Sequence, residues 1–401
     1  MVGAPYIANI LHDGKKKTAV IFTGGHDVYS DYGEGASYTE SDVTTDRKVV
    51  DDNIGAKTGD DIFIVNAKTG DRLWSMRSTM LRTDVKHEIS GGVRILDVNR
   101  NGILDRMYFA DTGGNVWRLD LHENLSDPTK SKLVKLAELG ATGSDAVARK
   151  FYNEPDVAQL SDNGKTIFTV SVGSGLRPHP INKEISDHMF ILLDKQPLSK
   201  IIETGTGKFP VAIEMDDLAS VKITAVADNA ANNITKTITH TGFKNDDGDD
   251  GDDVATITQS NKRGWYVEFP DSGEKVLAPS ITFEGSIIFT TFVPKALVSD
   301  ELNNACKSPS TQGRIYAMNI LTGEASVNMD GESNTDDNDV FSVISASEIP
   351  GKPQRIFNGL KCENGTCTHD VDIRIGKKNS EVGIEDVANI ESIYWNDPEK
   401  E

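Results

Sequence analysis

The chain has 401 residues, a formal net charge of −20, and 37% hydrophobic residues with 35 glycines beside them. That much negative charge argues against direct binding to nucleic acid or an anionic membrane surface, and no run reaches the roughly 18 apolar residues of a membrane span. The length allows two or three domains, but repeat-built β folds run long as one unit.

The opening MVGAPYIANI lacks the basic and apolar blocks of a signal peptide, which is compatible with a piece cut from a longer protein. From residue 17 the chain reads as short strands stopped by turn residues. KTAVIFTGG (17–25) comes first, then DIFIVNAKTGDRLW (61–74), NVWRLDL (115–121), KTIFTVSVGSG (165–175), HMFILLD (188–194), GSIIFTTF (285–292) and GRIYAMNILTGEA (313–325). Helical periodicity is weak throughout. A strand, then Asp or Asn, then Thr-Gly recurs at roughly fifty-residue spacing, which suggests propeller blades. A two-sheet sandwich would not predict the repeated Thr-Gly turn.

DVNRNGILD (97–105) interrupts this pattern with side-chain oxygens at every second residue: Asp97, Asn99 and Asn101, then Gly102, then Asp105. The first half matches the calcium-loop pattern D-x-[DN]-x-[DN]-G. A hard cation takes six to eight oxygens, and alternate residues of a tight loop point inward at it. Gly102 stands where the chain must turn sharply. Ile103, at the seventh place, would offer its carbonyl, and Asp105 at the ninth would close the shell, because the twelfth place is Tyr108 rather than glutamate. The flanking GGVRIL and RMYFAD read as strands, not EF-hand helices. A plain Asn-Gly hairpin turn accounts for Asn101 and Gly102, but not for two aspartates flanking the same loop.

The spacing breaks between 205 and 263, a polar, acidic insertion. Within it DDGDDGDD (246–253) is either a mobile solvated loop or a second calcium-binding run. ESNTDDND (332–339) reads as an exposed loop. Loops 27–60 and 225–262 are candidate contact surfaces, because recognition often sits on loops of a rigid scaffold. Of the three cysteines, Cys362 and Cys367 enclose a four-residue loop and form either a local disulfide or two reduced thiols. Cys306 is left unpaired or pairs elsewhere.

Enzyme signatures are lacking. HEISG (87–91) has Gly91 where a zinc protease needs histidine, and SVGSGLRPHP (171–180) lacks the third glycine of a dinucleotide loop. Ser174 has Val172 where a nucleophile elbow has glycine. The eight histidines show no ligand pairing and read as surface or turn residues.

Several blocks together resemble the C-terminal domain of the PilC/PilY family of type IV pilus-associated proteins. They are IFTGGHD (21–27), DIFIVNAKTGDRLW (61–74), RILDVNRNGILDRMYFADTGGNVWRLDL (94–121), ARKFYNEPDVA (148–158), VGSGLRPHP (172–180), GWYVEFPDSGEKVLAPSITFEGSIIFTTFVP (264–294) and GRIYAMNILTG (313–323). They span most of residues 17–325, and 340–401 is a looser match. The resemblance implies one all-β domain over 1–401, a modified β-propeller of about seven blades with long loop insertions, forming the C-terminal part of a longer protein. It implies a Ca2+ site at Asp97, Asn99, Asn101, the Ile103 carbonyl and Asp105. Relatives often carry aspartate where this chain has Asn99, so a weaker calcium affinity is expected.

The implied function is non-enzymatic: support of pilus extension against retraction and, through it, adhesion, twitching motility or DNA uptake. The partners would be minor pilins and possible host-surface ligands, outside the cell or at the outer membrane, with no direct nucleic-acid contact. Two alternatives stand beside it. KTGDRLW also resembles pyrroloquinoline-quinone dehydrogenases, although four tryptophans and no vicinal cysteines fit those poorly. A scaffold propeller without calcium control is the other.

Overall fold

The computed structural model describes residues 3–26, 59–78, 85–127, 130–140, 148–162, 164–199, 211–228, 233–243, 256–294, 311–329, 334–345, 349–363, 366–375 and 378–380. The chain divides into two compact units, Met1–Glu154 with Lys200–Val211, and Pro155–Ser199 with Ala212–Glu401.

In the first unit, alternation of apolar and polar residues sets the strands. Ala8 and Ile10 of β1 (Tyr6–His12) and Ala19 and Ile21 of β2 (Lys15–Thr23) are buried while most of their neighbours are not. Asp13 and Gly14 join the two strands with φ of 53° and 67°, the paired positive angles of a two-residue hairpin turn. β3 (Ile62–Asn66) and β4 (Arg72–Ser75) complete an antiparallel sheet in chain order. A second such sheet comprises β5 (Arg94–Leu96), β6 (Arg106–Ala110), β7 (Asn115–Asp120) and β8 (Lys132–Glu138). Every residue of β6 and β7 is buried, so these strands are covered on both faces.

The second unit repeats the four-stranded pattern with an addition. β9 (Asp156–Asp162), β10 (Lys165–Gly173) and β11 (His188–Asp194) run antiparallel, and β12 (Ala219–Asp228) and β13 (Asn233–Thr241) then form a hairpin before β14 (Gly264–Glu268) pairs antiparallel with β11. The hairpin joins the sheet through β12, parallel to β14, giving the order β13-β12-β14-β11-β10-β9. The described part of the 205–263 stretch is therefore largely sheet, and Val221, Ile223 and Ile257 belong to the hydrophobic core. β15 (Ile281–Phe283), β16 (Ser286–Pro294), β17 (Thr311–Asn319) and β18 (Phe341–Ser345) form another antiparallel sheet. β19 (Pro353–Glu363), β20 (Thr366–Ile375) and β21 (Lys378–Ser380) form a three-stranded one. The unit's core holds Trp265, Phe289, Tyr316 and Phe341, with the Phe289 and Tyr316 rings stacked at 4.9 Å.

The recurring Thr-Gly segments fold alike. In NAKTG the Gly70 N–H donates to the Asn66 carbonyl at 2.8 Å, and in NILTG the Gly323 N–H donates to the Asn319 carbonyl at 2.8 Å. Asn66 and Asn319 each accept a backbone N–H two residues on, and both glycines sit at positive φ.

Two sequence expectations are corrected. His188 is buried on β11, where its Nδ1 meets the Val267 carbonyl at 2.9 Å and its ring lies edge-on to Tyr266. Residues 334–339 are no free loop: Asp339 is fully buried, and its carboxylate accepts the N–H groups of Met329 and Asp336. DDGDDGDD (246–253), Cys306 and residues 27–58 of the first candidate contact loop lie outside the described residues. The backbones of Cys362 and Cys367 face each other across β19 and β20. Among the described residues no helix is long and apolar enough to cross a membrane.

Candidate metal centre

Loop 97–105 connects β5 to β6, two neighbouring strands of one sheet. Its closing end is fixed first. The Asp105 N–H donates to the Leu96 carbonyl (3.0 Å), the Asp105 carbonyl accepts from Leu121 (2.8 Å), and the Leu104 N–H donates to Asn9 of β1 (2.9 Å). The Leu104 side chain is buried beneath the loop. Immediately after Asp105, Arg106 is locked by its cross-strand partner Asp120: Arg106 Nε lies 2.5 Å from Asp120 Oδ1, and Arg118 reaches the same carboxylate through Nε (3.0 Å) and Nη2 (2.9 Å). All three side chains are buried. Burial by itself raises the Asp120 pKa, but the two guanidiniums outweigh it and hold the carboxyl below its usual value.

On that base the polar side chains turn inward. Asp97 accepts the Asn101 N–H on Oδ1 (3.1 Å) and the Gly102 N–H on Oδ2 (2.6 Å). Asn99 Oδ1 also accepts from Asn101 (3.0 Å), and Asn101 Oδ1 accepts from Ile103 (2.8 Å). Asp105 reaches back across the loop, taking the Asn99 N–H on Oδ2 (3.1 Å) and the Asn99 side-chain amide on Oδ1 (3.2 Å). Arg100 and Gly102 adopt φ of 60° and 77°, the left-handed conformation that curls the loop around its own side chains.

Asp97, Asn99, Asn101 and Asp105 are thus brought into one hydrogen-bonded loop, with Ile103 at its seventh place. The donor set is all oxygen and carries two carboxylates, which suits a hard divalent cation and not zinc or copper. Among the described residues no group of three or more His, Cys, Asp and Glu side chains could hold a metal. The loop falls short of that count because two of its four side chains are amides. Asn9, Leu104 and the Arg106–Asp120–Arg118 fork were not singled out in the sequence. Only the two-residue spacing of Arg118 and Asp120 on one strand face hinted at the fork.

The other groups considered in the sequence do not assemble similarly. Ser174 Oγ donates to Asp187 Oδ1 at 2.8 Å, while the His188 imidazole is engaged by the Val267 carbonyl. Hydroxyl and imidazole are therefore not paired with each other.

The fold and the loop define an all-β protein of several antiparallel sheets with an oxygen-lined hairpin loop. The chain is similar to the crystal structure of the Pseudomonas aeruginosa PilY1 C-terminal domain, with a TM-score of 0.53 and 15% sequence identity, over 95% of this chain and 71% of that one. The family resemblance carried by the sequence blocks thus extends to the fold. No family model and no curated protein matches the chain.

Proposed function

We propose that this chain is a calcium-binding β-propeller domain of a type IV pilus-associated protein of the PilC/PilY kind, acting outside the cell without catalysis. The observation that carries the reading is the shared fold with the PilY1 C-terminal domain over nearly the whole chain. Repeated four-stranded antiparallel sheets in chain order support the propeller. The inward-turned oxygens of loop 97–105 support Ca2+ as the ligand. Asp97, Asn99, Asn101, the Ile103 carbonyl and Asp105 would hold the ion, which supplies charge and links β5 to β6. The protein's own residues bend the loop and anchor its closing end. Minor pilins are the proposed partners, with adhesion, twitching or DNA uptake as consequences of pilus extension. An ion that binds one conformation of the β5–β6 surface more tightly shifts the domain toward it only by that difference in affinity.

The test is calorimetric titration of chelator-stripped protein with calcium, beside an Asp97→Ala, Asp105→Ala variant, together with piliation and twitching of cells carrying each. One site, lost in the variant along with normal piliation, is the expected result. Loss of binding with unchanged piliation leaves the ion as a structural staple, and no binding at millimolar calcium removes it from the function.

A further inference from the structure

We propose that Lys16 is a resident cation that weakens calcium binding at loop 97–105 and so sets the concentration at which the loop fills. The inference rests on the calcium reading above and concerns a residue outside the loop. GKKKT (14–18) places three lysines in succession at the start of β2. Their roles differ because successive residues of a strand point to opposite faces. Lys17 is committed to the hairpin, with Nζ 3.1 Å from His12 Nδ1 and 3.8 Å from Asp13 Oδ2. Lys16 instead reaches the tip of the loop: its Nζ lies 3.3 Å from where a Cβ on Gly102 would stand. It makes no ion pair with any described carboxylate.

The hairpin that carries Lys16 is pinned to the same sheet as the loop. The Asn9 carbonyl accepts from Leu104 and the Leu11 carbonyl from Leu125, each at 2.9 Å. Asp13 is fastened to Ser126 through its N–H (2.6 Å) and its carboxylate (2.7 Å). The backbone that carries Lys16 is therefore held beside the loop on both sides of the turn, and its exposed side chain extends from there to the loop tip. Together with Arg100 it sets two positive charges against the two negative charges of Asp97 and Asp105. A divalent ion entering the loop is repelled by the Lys16 charge, and most strongly at low salt.

The experiment compares calcium titrations of the wild type, Lys16→Gln, Lys15→Gln and the Asp97→Ala, Asp105→Ala variant, each chelator-stripped, at low and at high salt. Melting in chelator checks that each variant is folded. Lys16→Gln is expected to bind calcium about three- to tenfold more tightly than the wild type at low salt, with the gain shrinking as salt rises. Lys15→Gln removes the same charge from the opposite face and should change little. Equal affinity of Lys16→Gln and wild type overturns the proposal and leaves the calcium site standing, as does an equal gain from Lys15→Gln, which would report net charge alone. If neither the wild type nor Lys16→Gln binds differently from the Asp97→Ala, Asp105→Ala variant, the calcium reading itself has failed and this proposal falls with it. Binding seen only in Lys16→Gln supports both.

Discussion

Asp337 and Ile238, 99 residues apart in the chain, are joined by a 2.8 Å hydrogen bond from the Ile238 N–H to Asp337 Oδ2. Two residues along β13, the Lys236 N–H donates to Asn338 Oδ1 at 3.0 Å, and the Lys236 ammonium folds back onto the carbonyls of Asn338 and Phe341. β13 is the outermost strand of its sheet, and an exposed strand edge invites pairing with another chain. The 3-10 turn Asp337–Asp339 covers that edge with side-chain oxygens in place of a further strand.

An Asp337→Ala, Asn338→Ala variant should therefore lose about 2–3 kcal/mol of stability, the worth of two partly buried hydrogen bonds, one of them charged. It should also self-associate through the opened edge. Thermal melting and sedimentation at increasing concentration check the two effects separately. A monomer with unchanged melting would show that the turn merely rests against β13.

The Arg106–Asp120–Arg118 fork makes a pH prediction. Asp120 has a folded pKa held below its unfolded value by the two guanidiniums, so its contribution is present above the unfolded pKa, near 4, and is lost as pH falls through the folded one. Asp120→Asn should cost about 3 kcal/mol at neutral pH by leaving two buried arginines without their carboxylate. It should also lose part of the wild type's decline in stability below about pH 4. Denaturant melts from pH 7 down to pH 3 give both numbers. Parallel pH profiles in the two proteins would mean that Asp120 carries no such linkage.

The two Thr-Gly turns separate backbone strain from crowding. Gly70 and Gly323 share a positive φ, 77° and 75°, but a Cβ on Gly70 meets nothing within 4 Å, whereas one on Gly323 falls 2.7 Å from Val221 Cγ2. Gly70→Ala should cost about 1 kcal/mol, the backbone penalty alone. Gly323→Ala should cost about 2–3 kcal/mol, because Val221 is fully buried and cannot move aside. Equal losses in urea melts would show that the core around Val221 adapts.

These sites also mark what could be read from the chain. The polar side chains of the 97–105 loop and the Thr-Gly turns were legible because their hydrogen bonds are made within a few residues, whereas the loop's anchors at Asn9 and Leu121 are distant and were not. The strands between them were legible from apolar runs for the same reason. The 334–339 turn was misread because the groups it satisfies, at 236 and 238, lie about a hundred residues away, and a polar acidic string gives no sign of a distant edge. The β12–β13 hairpin was hidden by the polar residues around it, although Val221 and Ile223 enter the core. The buried Arg118 and Glu274 were equally hidden. Glu274 is enclosed by Thr291, Tyr316 and Arg314, three partners that no local pattern connects. Composition counts charges but does not pair them.

Asn99 provides the sharpest test of how the loop's charge is set. Its side-chain amide donates to Asp105 Oδ1 at 3.2 Å, so it joins the two ends of the loop without any ion. Asn99→Asp replaces that hydrogen bond with two facing carboxylates. In chelator the variant should melt lower than the wild type, by the lost exposed bond and the added repulsion, about 0.5–1 kcal/mol. With calcium the order should reverse, because a third carboxylate raises affinity by roughly tenfold, and ligand binding stabilises by about 2.7 kcal/mol at a hundredfold excess over Kd. A crossing of the two melting curves as calcium rises is therefore expected, at a concentration between the two dissociation constants or slightly above them. If neither protein's melting responds to calcium, the amide serves only the hairpin turn, and the alternate oxygens of this loop hold the chain together without holding an ion.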